Sequence, residues 1–263
     1  MSLTLDIAAT GMAAQELNVN TISNNIANMT TTGYKRQRAE FQDLLYQTKV
    51  APGSTSSDTN TVVPSGIQQG LGVKTGSLYR IDEQGAIQTT GNNYDLADMG
   101  QGYFQVTMPD GTTAYTRDGS FQLNQTGQMV TSQGYLVQPG ITVPNNAVGV
   151  TINSSGQVLV TLQGQTAPSI VGQIQTAIFP NNAGLSALGN NLFAVTEASG
   201  AAVTGNPGSS GFGTLQQGAL EASNVNVVSE ITSLIEAQRA YEMNSKVIQS
   251  GDQMLSTITS LTA

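Results

Sequence analysis

VVSEITSLIEAQRAYEMNSKVIQSGDQML, residues 227–255, is the stretch on which the fold turns. Val227, Leu234, Tyr241, Ile248 and Leu255 recur every seven residues, and Ile231, Ile235, Val247, Met254 and Ile258 widen the same apolar face. A sustained seven-residue period specifies a long helix that buries a stripe against another element. Ser223 or Asn226 is placed to cap its start. Glu230 and Glu236 precede Lys246, the sense that the helix dipole favours. Gly251 reads as the weak point of the pattern.

The other end of the chain repeats the signal. Leu5, Met12, Val19 and Ile26 recur every seven residues, with Ala8, Gln15, Ile22 and Met29 between them. Thr30, Thr31 and Thr32 are poor helix formers, and Gly33 suits the left-handed residue beyond a helix end. Gly11 weakens this helix by ~1 kcal/mol relative to Ala. Neither helix has a second apolar element beside it in sequence. A lone helix of ~25–35 residues is marginal in water, so each end is expected to order only when paired. The partner is either the other end of the same chain or a second copy. Both readings stand, because a two-helix stalk still leaves apolar flanks uncovered.

Between the ends the period falls from seven to two. Residues 100–108 alternate with Phe104, Val106 and Met108 on one face, and Pro109-Asp110-Gly111 supplies a hairpin turn. Strands are expected at 112–117, 120–124, 128–131, 135–138, 148–152, 157–162 and 169–179, separated by Gly, Pro and Asn turns. That spacing indicates an all-β domain. Because it sits between two helical ends, those ends must return close together. Residues 46–72 are rich in Pro, Ser, Thr and Gly and read as an extended linker or hairpin segment, and 198–213 is a second polar, Gly-rich stretch. The fold class is therefore α+β. Residues 1–33 and 223–263 form a coiled-coil-like helical layer, 34–90 connect, and 91–222 form the inserted β-domain.

Composition narrows the chemistry. The 263 residues include no Cys, His or Trp, which removes disulfides, thiolate or imidazole metal sites and Ser-His-Asp catalysis. Charged residues make up 10% of the chain, against ~25% in ordinary domains. Residues 118–238 hold no Lys or Arg, and 119–196 no charge of either sign. A neutral coat of Thr, Ser, Asn, Gln and Gly tolerates contact with copies of itself. It equally suits a secreted β-protein. The net charge of −8, with Lys35, Arg36 and Arg38 offset by Glu40 and Asp43, argues against nucleic acid. No stretch approaches the ~20 apolar residues of a membrane span. The first residues lack the basic start of a cleaved signal peptide.

Asp95 and Asp98, three apart, are the best candidates for paired-carboxylate chemistry. The spacing is generic, and they read as turn-capping loop carboxylates. Arg117-Asp118-Gly119-Ser120 reads as a turn with a local ion pair. Arg239 and Glu242 read as a helix-surface pair, or Arg239 as a partner for a neighbouring chain. No catalytic, metal or cofactor residue is expected.

The motifs ISNNIAN (22–28) with TTGYKR (31–36), and SNVNVVSE (223–230) with QRAYEMNSK (238–246), resemble the paired terminal signatures of bacterial flagellar rod and hook proteins. GQGYF (100–104), YTRDGSF (115–121) and GQMVT (127–131) agree with the middle of that family, so the likeness spans essentially the whole chain. Within the family, FQDLLYQ (41–47) through PSG (64–66) is similar to the distal-rod members; proximal rod or hook subunits are the alternative.

The resemblance implies an axial protein of the periplasmic rod, exported unfolded by the type III apparatus without a cleaved signal peptide. It implies a self-assembling helical tube that carries motor torque to the hook, meeting proximal rod proteins, the hook protein and surrounding ring proteins. Leu5, Met12, Val19, Ile22, Ile26, Met29, Val227, Ile231, Leu234, Tyr241, Ile248 and Leu255 would form the assembly interface. Tyr46, Pro52, Pro64 and Gly66 would mark a segment that stiffens the rod. Readings of another class are a carboxylate-dependent wall hydrolase and a secreted β-adhesin.

Overall fold

The computed structural model describes residues 3–53, 65–165 and 167–262. Two long helices, α1 (Leu3–Ala27) and α2 (Val227–Thr262), flank a β-rich middle, an α+β chain. It divides into two compact units, one of residues 1–26, 37–79 and 227–263, the other of 27–36 and 80–226.

In the first unit α1 and α2 touch at three described places. Asn25 bonds Glu230, while the glycines at 11 and 251 face Asn244 and Leu5. Residue numbers rise along one helix as they fall along the other, so the pair is antiparallel. The buried residues of α1 are Ala8, Ala14, Thr21, Ile22 and Asn25. Apart from Ile22, small and polar side chains thus occupy the tight positions. Gln37–Asp43 pairs with Val73–Arg80. Gly72, at φ +114°, lies against Thr10 of α1 with no room for a Cβ.

One expectation changes at the end of α1. The first helix ends at Ala27 rather than at Thr30, so Met29 lies in the turn that follows. Thr31 donates its backbone N–H to Asn28 O at 3.2 Å, which builds that turn. Of the two readings of 46–72, the ends take the hairpin: Tyr46–Val50 pairs antiparallel with Ile67–Gly70, Tyr46 facing Gly70.

The second unit holds a nine-stranded sheet in which Tyr103–Thr107 is central, flanked by Thr113–Thr116 on one side and by Leu136–Val137 and Thr176–Ile178 on the other. Ala147–Ile152, Gln157–Leu162 and Ser169–Gln173 form a separate three-stranded sheet. The expected strand 169–179 is therefore two strands in two sheets. It breaks where Ile174 donates to Gly156 O at 2.8 Å instead of to a ladder. Phe104, Phe121, Leu96, Met129, Ile174, Val158 and Val160 fill the core, each at most 1% exposed. Phe104 and Phe121 meet edge to face at 5.1 Å. A second cluster of Tyr103, Tyr115, Phe179 and Leu185 is joined by similar ring contacts.

Candidate functional site

Two constellations stand out, one in each unit. On α2 the residues turned to α1 are Glu230, Ala237, Asn244 and Gly251, again seven apart but three or four positions off the apolar series. Glu230 and Ala237 are 7% and 3% exposed. Asn25 donates to Glu230 Oε2 at 3.1 Å, and to Gln37 O at 2.8 Å, and accepts from Gln37 N–H at 2.8 Å. A Cβ at position 11 would stand 3.0 Å from Asn244 Nδ2, and one at 251 would stand 2.9 Å from Leu5 Cδ2. Gly11 and Gly251 are thus points of close approach, not merely weak helix formers.

The expected interface residues fall on the flanks of this stripe. Ile22 is buried; Leu5, Met12, Val19, Ile26, Val227, Leu234 and Ile248 are half-buried. Met29, Ile231, Tyr241 and Leu255 are 42–45% exposed. Ile235, Met243, Met254, Ile258 and Leu261 are 45–80% exposed along the same helix. Tyr46 and Pro52 are exposed, and Gly66 packs against Pro52, where a Cβ would stand 2.6 Å from its ring. Pro64 lies outside the described residues. Arg239 and Glu242 are both exposed on α2.

In the second unit, four charges are sunk together. Lys35 Nζ reaches Glu221 Oε1 at 2.6 Å, and Arg117 Nε reaches Glu221 Oε2 at 3.1 Å. Arg117 also stands 3.4 Å from Asp98 Oδ2, and every one of these side chains is 5% exposed or less. The surrounding carbonyls complete the shell. Lys35 donates to Glu83 O at 2.8 Å, and Arg117 to Gly102 O and Gly100 O. Glu221 accepts from Gly85 N–H at 2.8 Å. The Asp98 carboxylate is wedged between Gly102 and Gly213, where no Cβ fits. No described residue donates a hydrogen bond to it. Burial pushes its pKa up to about 6 against the pull of Arg117. Burial first, then Arg117, pushes the Lys35 ammonium down, while Glu221 holds it up.

Asn224 extends the cluster. Its side chain accepts from Arg36 N–H at 2.7 Å and donates to Ile81 O at 2.9 Å and Glu83 O at 3.0 Å. Gly33, at φ +66°, donates to Glu221 O at 2.8 Å and presses on the Arg117 backbone. Segments distant in sequence, 33–36, 81–85 and 221–224, are therefore stitched together inside this unit. The ion pair expected within 117–120 is not the one formed. Arg117 turns inward to Glu221 and Asp98, while Asp118 caps its turn by accepting from Ser120 N–H at 3.0 Å. The paired carboxylates part company as well. Asp95 accepts from Thr90 and Asn92, as a turn cap does, but Asp98 lies in the strand Leu96–Met99 beside Arg117.

Sequence reasoning missed Asn25, Lys35, Glu221, Asn224 and Asn244. Most of them stand in or beside the quoted motifs, where polar residues interrupt an otherwise apolar or neutral run.

Those motifs match known families. Residues 5–35 match the family described as flagella basal body rod protein, residues 216–261 the C-terminal part of the flagellar basal body rod FlgEFG proteins, and residues 99–160 the D1 domain of the flagellar hook protein FlgE/F/G. The flagellar basal-body rod protein FlgG of Caulobacter vibrioides is 60% identical over 257 residues, 98% of each chain. The FlgG proteins of Agrobacterium fabrum and Bacillus subtilis are 49% and 40% identical, over 97% and 95% of this chain and 97% and 96% of their own.

The chain belongs to the flagellar basal-body rod proteins. It is a structural component of the flagellum, and the hydrolase and adhesin readings find no support among its relatives. Lys35, Arg117 and Glu221 come one from each of the three matched rod and hook regions, so the buried cluster joins them. No helix among the described residues is long and apolar enough to cross a membrane.

Proposed function

We propose that this rod protein is a subunit of the distal rod, a rigid helical tube that transmits motor torque across the periplasm to the hook. Residues 1–33 and 223–263 form its inner layer in coiled-coil-like packing, 34–90 connect, and 91–222 face outward. The tube is a homopolymer that meets proximal rod proteins on one side, the hook protein on the other and ring proteins around it. Its subunits reach the growing tip unfolded, through the type III export apparatus.

The observation that carries this reading is the unfinished surface of α2. Its polar and small stripe is spent on α1, while Ile231, Ile235, Tyr241, Met243, Met254, Leu255 and Ile258 stay 42–61% exposed. Large apolar side chains left open along the flanks of one helix mark an interaction surface. A head-to-tail contact that does not close on itself generates an open helical array.

The test is assembly. Ile235→Asp/Met254→Asp should abolish rod formation, read by sedimentation and electron microscopy. Wild-type helix content, read by circular dichroism, should rise on polymerisation. Rods of normal length from the double variant would overturn the reading. Deleting residues 51–65 tests the stiffening segment separately. It should leave rods that bend more easily, and unchanged bending stiffness would remove Tyr46, Pro52, Pro64 and Gly66 from that role.

A further inference from the structure

The chain carries 9 Lys and Arg against 17 Asp and Glu, and its second unit gathers four of those charges in one place out of water. Two are positive and two negative, so Lys35, Arg117, Asp98 and Glu221 cancel. That balance hangs on Glu221, which alone touches both cations and whose backbone and side chain also receive the Gly33 and Gly85 amides. Without its carboxylate, Lys35 and Arg117 would face Asp98, which is packed between two glycines, and the half-buried Asp82, which pulls on Lys35 less than Glu221 does. Breaking a buried pair by removing one partner leaves an uncompensated charge, whereas removing both partners together is far better tolerated.

We propose that the four residues form a charge-balanced clasp, and that segments 33–36 and 81–85 seat on the β-core only when Glu221, 186 residues beyond Lys35, is in place. Lys35 cannot enter the interior without its counter-charge, and the neighbours bonded through it stay out with it. Ile81 donates to Arg36 O at 2.9 Å, and Arg36 N–H in turn depends on Asn224. The second unit is therefore completed by the end of the chain that leads into α2. Its β-strands alone do not suffice.

The experiment is hydrogen exchange read by mass spectrometry on the purified full-length chain, so its outcome is separate from whether the chain forms a rod. Glu221→Gln keeps the shape and removes the charge. It should speed exchange at Gly33, Arg36, Ile81 and Gly85 by about a hundredfold or more, while the Ala147–Ile152 and Gln157–Leu162 strands keep their protection. Lys35→Met/Glu221→Gln restores balance, leaving Arg117 with Asp98, and should slow exchange at Ile81 and Gly85 back towards the wild type. If Glu221→Gln does not fold, recovery of a folded chain by the double variant is the same expected result. Wild-type exchange in the single variant overturns the clasp. So does a double variant that exchanges as fast as the single one, or that fails to fold.

Discussion

The two units solve burial in opposite ways. The second places Phe104, Phe121, Met129 and Ile174 at 1% exposure or less and neutralises the charges it encloses. The first encloses Ala8, Ala14 and Ala237 and leaves Ile235, Met243, Met254 and Ile258 outside. One encloses a large aromatic and aliphatic core within a single chain, although Val148, Ile170, Leu188 and Val203 stay exposed on it. The other has contacts enough to set two helices side by side, but its heaviest apolar side chains lack cover. The contrast separates what stabilises a subunit from what joins subunits.

The sharpest way to break that contrast is a pair of truncations. Phe104→Ala empties a fully enclosed site and should cost about 3–5 kcal/mol in denaturant unfolding of the full chain. Ile235→Ala, on the open ridge, should change the same measurement by less than ~0.5 kcal/mol while weakening assembly. Equal costs would mean that the ridge is already covered within one chain.

Next in size is the helix contact. Gly251→Leu forces a side chain into Leu5 and should destabilise the first unit by about 1–3 kcal/mol. Gly251→Ala should be close to neutral, because ~1 kcal/mol of helix propensity offsets a contact that the end of the Leu5 side chain can yield. Thermal melts followed at 222 nm distinguish the two. A stabilising Gly251→Leu would show that the helices do not meet there.

The smallest expected effect is on pH dependence. Burial lifts Asp98 from 3.8 to about 6, so the folded chain holds this proton more tightly than the unfolded chain. Its stabilising contribution is complete below the unfolded value and is lost as pH rises through about 6. Lowering the pH from ~7 to ~5 should therefore raise the melting temperature of the wild type relative to Asp98→Asn, by roughly 2–4 °C for each kcal/mol recovered. Parallel pH profiles for the two proteins would show that the carboxylate is not sealed in.

The ease of reading these regions from sequence followed the range of the forces involved. Strand periodicity is local, so Tyr103–Thr107, Thr113–Thr116 and Gln157–Leu162 were evident from alternation and turn residues. The helical series at 227–255 was equally plain. The two-residue turn at Asn190 and Asn191, both with positive φ, was open to the same reasoning but lay in a run too short to show period. The buried charges were not legible. In the sequence Lys35 stands in a basic group with Arg36 and Arg38 beside Glu40 and Asp43, and its actual partner lies 186 residues away. Only the fold decides that Arg117 turns to Glu221 and not to the adjacent Asp118. Likewise Asn25, Glu230 and Asn244 fell outside the apolar count, yet they meet across the helices together with two glycines and Leu5.

The stripe of Glu230, Ala237, Asn244 and Gly251 has a consequence of its own. Its four members differ in chemistry, so sliding α2 by one repeat would put the Ala237 methyl where Asn25 finds a carboxylate and would carry Glu230 past the end of α1. Such a series works as a key cut for one lock. The neighbouring Val, Leu, Tyr, Ile, Leu ridge carries no such distinction between one repeat and the next. A chain built this way can pair with itself in a single alignment and still offer its neighbours a surface that is forgiving of where they land.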